Sequence, residues 1–145
     1  MPSKKPLKRV ASISIPMNGN YLLDTSIIIA LFRGDSTIVE RLQEVESVLI
    51  PITVVGELFY GVLKSNHREK NEAHLRAFLS ESVVLMGDRE TGYWYGFVKD
   101  NLRRKGHLIP ENDIWIGAMA LQFQLTVATR DKHFSAIDGL NIEMG

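Results

Sequence analysis

Four short apolar runs that do not alternate with polar residues constrain this chain most: Tyr21-Leu22-Leu23, Ser47-Val48-Leu49-Ile50, Val83-Val84-Leu85-Met86 and Leu125-Thr126-Val127-Ala128-Thr129. A strand with one face in water alternates apolar and polar residues. A strand covered on both faces does not, and such strands belong to parallel sheets lying between helices. Helical spacing fills the intervals. Asp24-Thr25-Ser26 turns the first run into a helix over Ile27 to Phe32, with Asp24 a candidate cap, and Asp35 caps a second helix carrying Ile38, Leu42 and Val45. Thr53 is the expected cap of a helix bearing Val54, Glu57, Leu58 and Gly61, and residues 66 to 81 form another. Tyr93, Trp94, Phe97, Val98, Asn101 and Leu102 share one face of a fifth helix, which Gly106 ends. After Pro110, Asn112 or Glu111 caps a run from Ile114 to Phe123 that is apolar almost all round, as in a central buried helix. Leu140 to Met144 predicts a short edge strand.

With 145 residues the chain fits one domain. An absence of cysteine excludes disulfides, zinc-thiolate sites, iron–sulfur clusters and thiol nucleophiles. There is no run of 18 apolar residues, so no membrane span is expected, and without a signal-peptide pattern the expected location is the cytoplasm. The 17 basic and 17 acidic residues balance, but unevenly: Lys4, Lys5, Lys8 and Arg9 lie in an acid-free segment 1–16, leaving 13 basic against 17 acidic residues, a charge of −4, in 17–145. The expected division is a basic N-terminal extension over 1–16 and a folded domain over 17–145. Met17 leaves two readings of the extension, a start-site artefact or a nucleic-acid-binding arm.

In open α/β sheets ligands gather at the carboxyl ends of the strands. Four acids from four segments fall on that predicted rim: Asp24 after the first strand, Glu57 in the helix after the second, Asp113 behind Pro110, and Asp131 just beyond the fourth. Each has a plainer role, as a helix cap, a first-turn acid or a turn residue. Together they would repel one another unless a divalent cation neutralised them, and hard oxygen ligands select Mg²⁺ or Mn²⁺. The chemistry indicated is phosphodiester hydrolysis.

Four segments, Leu22-Leu23-Asp24-Thr25-Ser26, Glu57-Leu58-Phe59-Tyr60-Gly61, Ile109 to Ala118 with Pro110, Asp113 and Gly117, and Ala128-Thr129-Arg130-Asp131-Lys132-His133-Phe134, together resemble the PIN domain family and in particular its VapC-type ribonuclease toxins. The resemblance covers residues 20 to 144; each motif alone is weak and the four in register are strong. It implies a three-layer α/β/α fold around a central, mostly parallel sheet of four or five strands. It also implies a Mg²⁺- or Mn²⁺-dependent endoribonuclease, the toxin of a type II toxin–antitoxin pair neutralised by a cognate VapB-type antitoxin, and a homodimer. By position, Asp24, Glu57, Asp113 and Asp131 match the catalytic and metal-binding acids, with Asp24 and Asp113 expected to hold metal most directly. Thr25, or Ser26, and Thr129 match supporting hydroxyls. Gly117 stands where the family more often has alanine.

An RNA substrate, structured transfer or ribosomal RNA by resemblance, needs local cations on an acidic body. The turn Arg130, Lys132 and His133 is preferred over Lys64, His67, Arg68 and Lys70 or the cluster Arg103-Arg104-Lys105, which read more simply as solvated helix faces. Phe32, Phe59 and Tyr60 are candidates for an antitoxin groove, although core packing explains them more simply. A receiver domain fails on placement, since Asp24 stands alone and Asp88 follows Gly87 without the partner lysine pattern. The alternative function is a noncatalytic PIN-like RNA- or protein-binding module.

Overall fold

Strands with no polar face need cover on both sides, and six α-helices among the described residues supply it. The computed structural model describes residues 20–45 and 47–145; segment 1–16 and Met17 lie outside the described residues. The order is β1 (Asn20–Leu23), α1 (Thr25–Phe32), α2 (Ser36–Glu44), β2 (Ser47–Pro51), α3 (Ile52–Lys64), α4 (Arg68–Ser80), β3 (Val84–Leu85), α5 (Arg89–Lys105), α6 (Glu111–Phe123), β4 (Thr126–Thr129) and β5 (Asn141–Met144). A short 3-10 helix, Lys132–Ala136, leads from β4 toward β5. The five strands lie in the order β3-β2-β1-β4-β5, and every pair is parallel. With the right-handed crossovers that parallel strands adopt, this order places α1 to α4 on one face and α5 and α6 on the other, as in the expected α/β/α sandwich.

The core explains the lack of alternation. All five residues of β2 are buried, as are Leu22 and Leu23 in β1 and Val127 and Ala128 in β4. Ile114, Ile116, Ala118, Met119 and Ala120 bury most of α6. Each fully buried Leu or Ile contributes about 1.5–3 kcal/mol relative to exposure, so the sheet and α6 are held chiefly by apolar area.

Several local expectations are corrected. Pro51, not Thr53, is the N-cap of α3: β2 runs straight into the helix, and proline's fixed φ suits that junction. Pro110, not Asn112 or Glu111, is the N-cap of α6, which leaves both side chains inside the first turn and free for other partners. The third strand shrinks to two residues at the sheet edge, with Met86 exposed. On α5 the buried side chains are Thr91, Val98 and Leu102, whereas Tyr93 and Phe97 are at least half exposed and form an aromatic cluster with Trp94. That cluster reads as core from spacing alone because its arc of the helix adjoins the buried one. Asp88 caps α5 through a capping box with Thr91.

Candidate active site

Strand order reverses direction between β1 and β4, and there the carboxyl ends of neighbouring strands feed chains that leave in opposite directions, opening a crevice. Asp24 leaves β1 at this point, its amide still donating to the Ala128 carbonyl at 3.0 Å. Although Asp24 occupies the N-cap position of α1, its side chain makes no cap hydrogen bond, so capping does not account for it. Instead Oδ2 accepts from Thr129 Oγ1 at 2.7 Å and from Ser26 Oγ at 3.0 Å.

The loop after β4 fixes the direction of those two hydroxyls. Thr129 Oγ1 accepts the Asp131 amide at 2.9 Å and Ser26 Oγ accepts the Arg130 amide at 3.0 Å. Each hydroxyl has one proton, and with an amide on its lone pair that proton goes to Asp24. Thr25 does something else. Its hydroxyl donates to Glu57 Oε1 at 2.5 Å, while Asn112 Nδ2 donates to Glu57 Oε2 at 3.0 Å. Glu57 is therefore braced from α1 on one side and α6 on the other.

Asp113, in the first turn of α6 and only 8% exposed, has Oδ2 3.1 Å from His133 Nδ1. The same nitrogen lies 2.9 Å from Asp131 Oδ1, which also accepts the His133 amide at the start of the 3-10 helix. Asp113, Asp131 and His133 each offer a ligand atom, all within 4.8 Å of one another. Burial pushes the Asp113 carboxyl up to about 6, with His133 opposing and the charges of Asp24 and Asp131 adding to the rise. Burial also raises Asp24, against the Thr129 and Ser26 hydroxyls and the Thr25 amide, with Glu57 repulsion adding. The four acids thus share one electrostatic neighbourhood. Their donors are hard oxygens, two of them buried and mutually repelling, a set that fits Mg²⁺ or Mn²⁺ rather than a soft metal.

Of the sequence candidates, all four acids and the hydroxyls of Thr25, Ser26 and Thr129 converge here. His133 lies against two of the acids, Asp113 and Asp131. Arg130 turns away to pair with Asp35 at 2.7 Å, and Lys132 stays exposed. The sequence reading missed Asn112 as a partner of Glu57; the signal available was Pro110, whose capping role puts Asn112 on the inner side of the helix's first turn.

A domain of this topology with acids at the β1/β4 crevice defines a class, and the PIN domain model matches residues 21–140. The chain belongs to the PIN domain family. Ribonuclease VapC2 of Rickettsia felis is 32% identical over 128 residues, spanning 85% of this chain and 96% of that protein. The tRNA(fMet)-specific endonuclease VapC of Salmonella typhimurium is 30% identical over 126 residues, with coverage of 85% and 96%. VapBC2 from Rickettsia felis, solved bound to a DNA fragment from its promoter, superposes with a TM-score of 0.81 at 29% identity, covering 87% of this chain and 98% of that one. Among the described residues no helix is long and apolar enough to cross a membrane.

Proposed function

We propose that this protein is a Mg²⁺- or Mn²⁺-dependent endoribonuclease, the toxin of a type II pair held in check by a VapB-type antitoxin. The observation that carries the reading is the convergence of Asp24, Glu57, Asp113 and Asp131, from four separate segments, on the crevice between β1 and β4. Asp24 and Asp113 are the buried acids that would hold the ion most directly, with Glu57 and Asp131 completing the set directly or through water. Held by these acids, a divalent ion would supply Lewis-acid stabilisation of the phosphodiester and would lower the pKa of a water. Thr129 and Ser26 keep Asp24 oriented, and Thr25 and Asn112 do the same for Glu57, so the acids are set before substrate arrives. His133, on Asp113 and Asp131, holds the 3-10 turn against α6.

Structured RNA, transfer RNA in particular, is the proposed substrate, supported by the tRNA-specific relative at 30% identity. The antitoxin reading is supported by the solved toxin–antitoxin complexes, which share this fold. The test is cleavage of total RNA by the purified chain with Mg²⁺ or Mn²⁺, beside EDTA and Asp113→Asn controls. Discrete fragments absent from both controls support the reading; antitoxin binding with no cleavage by the metal-loaded wild type favours the noncatalytic module.

A further inference from the structure

Cations close to an acidic centre decide how a polyanion reaches it, and the fold engages most of those the sequence offers. Arg103 and Arg104 pair with Asp100, Lys105 pairs with Asp138, Lys99 pairs with Glu111, and Arg68 donates to the Leu63 carbonyl. Arg33, at the C-terminal end of α1, is exposed and makes no ion pair among the described residues. It opens onto a groove of about 550 Å³ that is also lined by Ser26, Ile29, Ala30, Asp35 and Arg130.

One end of this groove adjoins the acid crevice, because Ser26, which lines the groove, donates to Asp24. From Ser26 to Arg33 is two turns of α1, about 10 Å. Ile29, 38% exposed, and Ala30 form an apolar floor between them. Arg130 is held in the far wall by Asp35, whose other oxygen accepts the Thr37 and Ile38 amides at the start of α2. An apolar floor with guanidinium groups at its edge matches the two halves of a nucleotide, a base with an apolar face and a phosphate that suits arginine's fork.

We propose that this groove binds a nucleotide of the single-stranded RNA next to the cleaved phosphodiester, with its base on Ile29 and its phosphate on Arg33. The inference rests on the ribonuclease reading. Ser26 touches both the groove and Asp24, so a strand whose phosphodiester reaches Asp24 can lay its neighbouring nucleotide here, and the guanidinium groups at the edge favour a polyanion over a protein segment. The charge of Arg33, which makes no ion pair among the described residues, complements the strand and offsets the acidity of the domain around it.

The test is fluorescence anisotropy with a short fluorescein-labelled single-stranded RNA and the full chain, in an Asp113→Asn background that blocks cleavage. Arg33→Ala should weaken binding on the order of tenfold, and lower the slope of log affinity against log salt by about 0.7, as loss of one phosphate contact requires. Arg33→Lys should restore the slope. Ile29→Ser should weaken binding without changing the slope. With Asp113 intact, both exposed-site changes should raise KM and leave kcat within about twofold. Unchanged affinity and slope in Arg33→Ala would overturn the proposal. So would loss of antitoxin binding with RNA binding intact, which assigns the groove to a protein. A wild-type chain that shows this binding signature but cleaves no RNA would defeat the ribonuclease reading and leave the groove standing.

Discussion

Thr129, fully buried at the end of β4, donates its hydroxyl to Asp24 Oδ2 across the β1/β4 crevice at 2.7 Å while accepting the Asp131 amide at 2.9 Å. One side chain thus ties the acid of the first strand to the loop that carries the acid of the fourth.

Thr129→Val keeps the shape and removes both bonds. Stability should fall by about 1–3 kcal/mol, the cost of leaving a buried carboxylate and an amide without their partner. Cleavage should fall about 10- to 100-fold, as when a group orienting a metal ligand is lost. Thr129→Ser should restore most of both. Thermal unfolding and single-turnover cleavage of the three proteins check this.

Asn112 and Thr25 hold Glu57 from opposite sides, so their removal should act on the site more than on the fold. Asn112→Ala and Thr25→Val are each expected to lower Mn²⁺ affinity about tenfold. Because Glu57 is only half-buried, unfolding free energy should change by no more than about 1 kcal/mol. Calorimetric Mn²⁺ titration beside chemical denaturation separates the two effects.

The pH dependence of the metal-free protein follows from Asp113. Its folded-state value of about 6 lies above the ordinary carboxylate value, so the folded state binds the proton more tightly than the unfolded one. That contribution to stability is fully present below about pH 4 and is lost as pH rises through about 6, by at most about 3 kcal/mol. Metal-free Asp113→Asn should therefore gain on the wild type as pH rises, and be the more stable at neutral pH. Saturating Mn²⁺ should reverse the order at neutral pH by binding the wild type. Denaturant unfolding of both proteins across this range, with and without the ion, gives the comparison.

Gly117 lies in α6 where an added Cβ would stand 2.5 Å from Ile137 Cδ1. The obstacle is the tip of one side chain, and an interior Gly→Ala change favours the helix by about 1 kcal/mol. Gly117→Ala alone should thus change stability little. Combined with Ile137→Val, which removes the obstructing methyl, it should be the more stable of the two by roughly 0.5–1 kcal/mol after correction for Ile137→Val itself. A double-mutant cycle by denaturant unfolding reads the coupling.

The sheet was legible because β1, β2 and β4 carry unbroken apolar runs, and the candidate site because Asp24, Asp113 and Asp131 sit at element ends where core packing has no use for a charge, with Glu57 a lone acid inside the largely apolar α3. What stayed hidden depends on direction rather than on residue type. Thr25 and Ser26 are neighbours in a hydroxyl pair, yet helical rotation aims one at Glu57 and the other at Asp24. Asn112 looks like a cap until Pro110 takes that position. His133 reads as a free cation from its basic surroundings, but the 3-10 turn folds it back onto Asp113 and Asp131. Tyr93 and Phe97 have core chemistry at core spacing, and only the packing of α5 on α6 determines which arc of the helix is covered.

The central claim is that the four acids form one metal-dependent centre that cuts RNA. The most direct measurement follows cleavage of a defined RNA, chosen by end-mapping of the fragments, while Mn²⁺ is titrated into metal-free wild type, Asp24→Asn and Asp113→Asn. Saturable, metal-dependent cleavage by the wild type, with a loss of at least about 100-fold in each variant, is the predicted result. Equal cleavage by the wild type and either variant, or cleavage by the wild type that persists in EDTA, would contradict it.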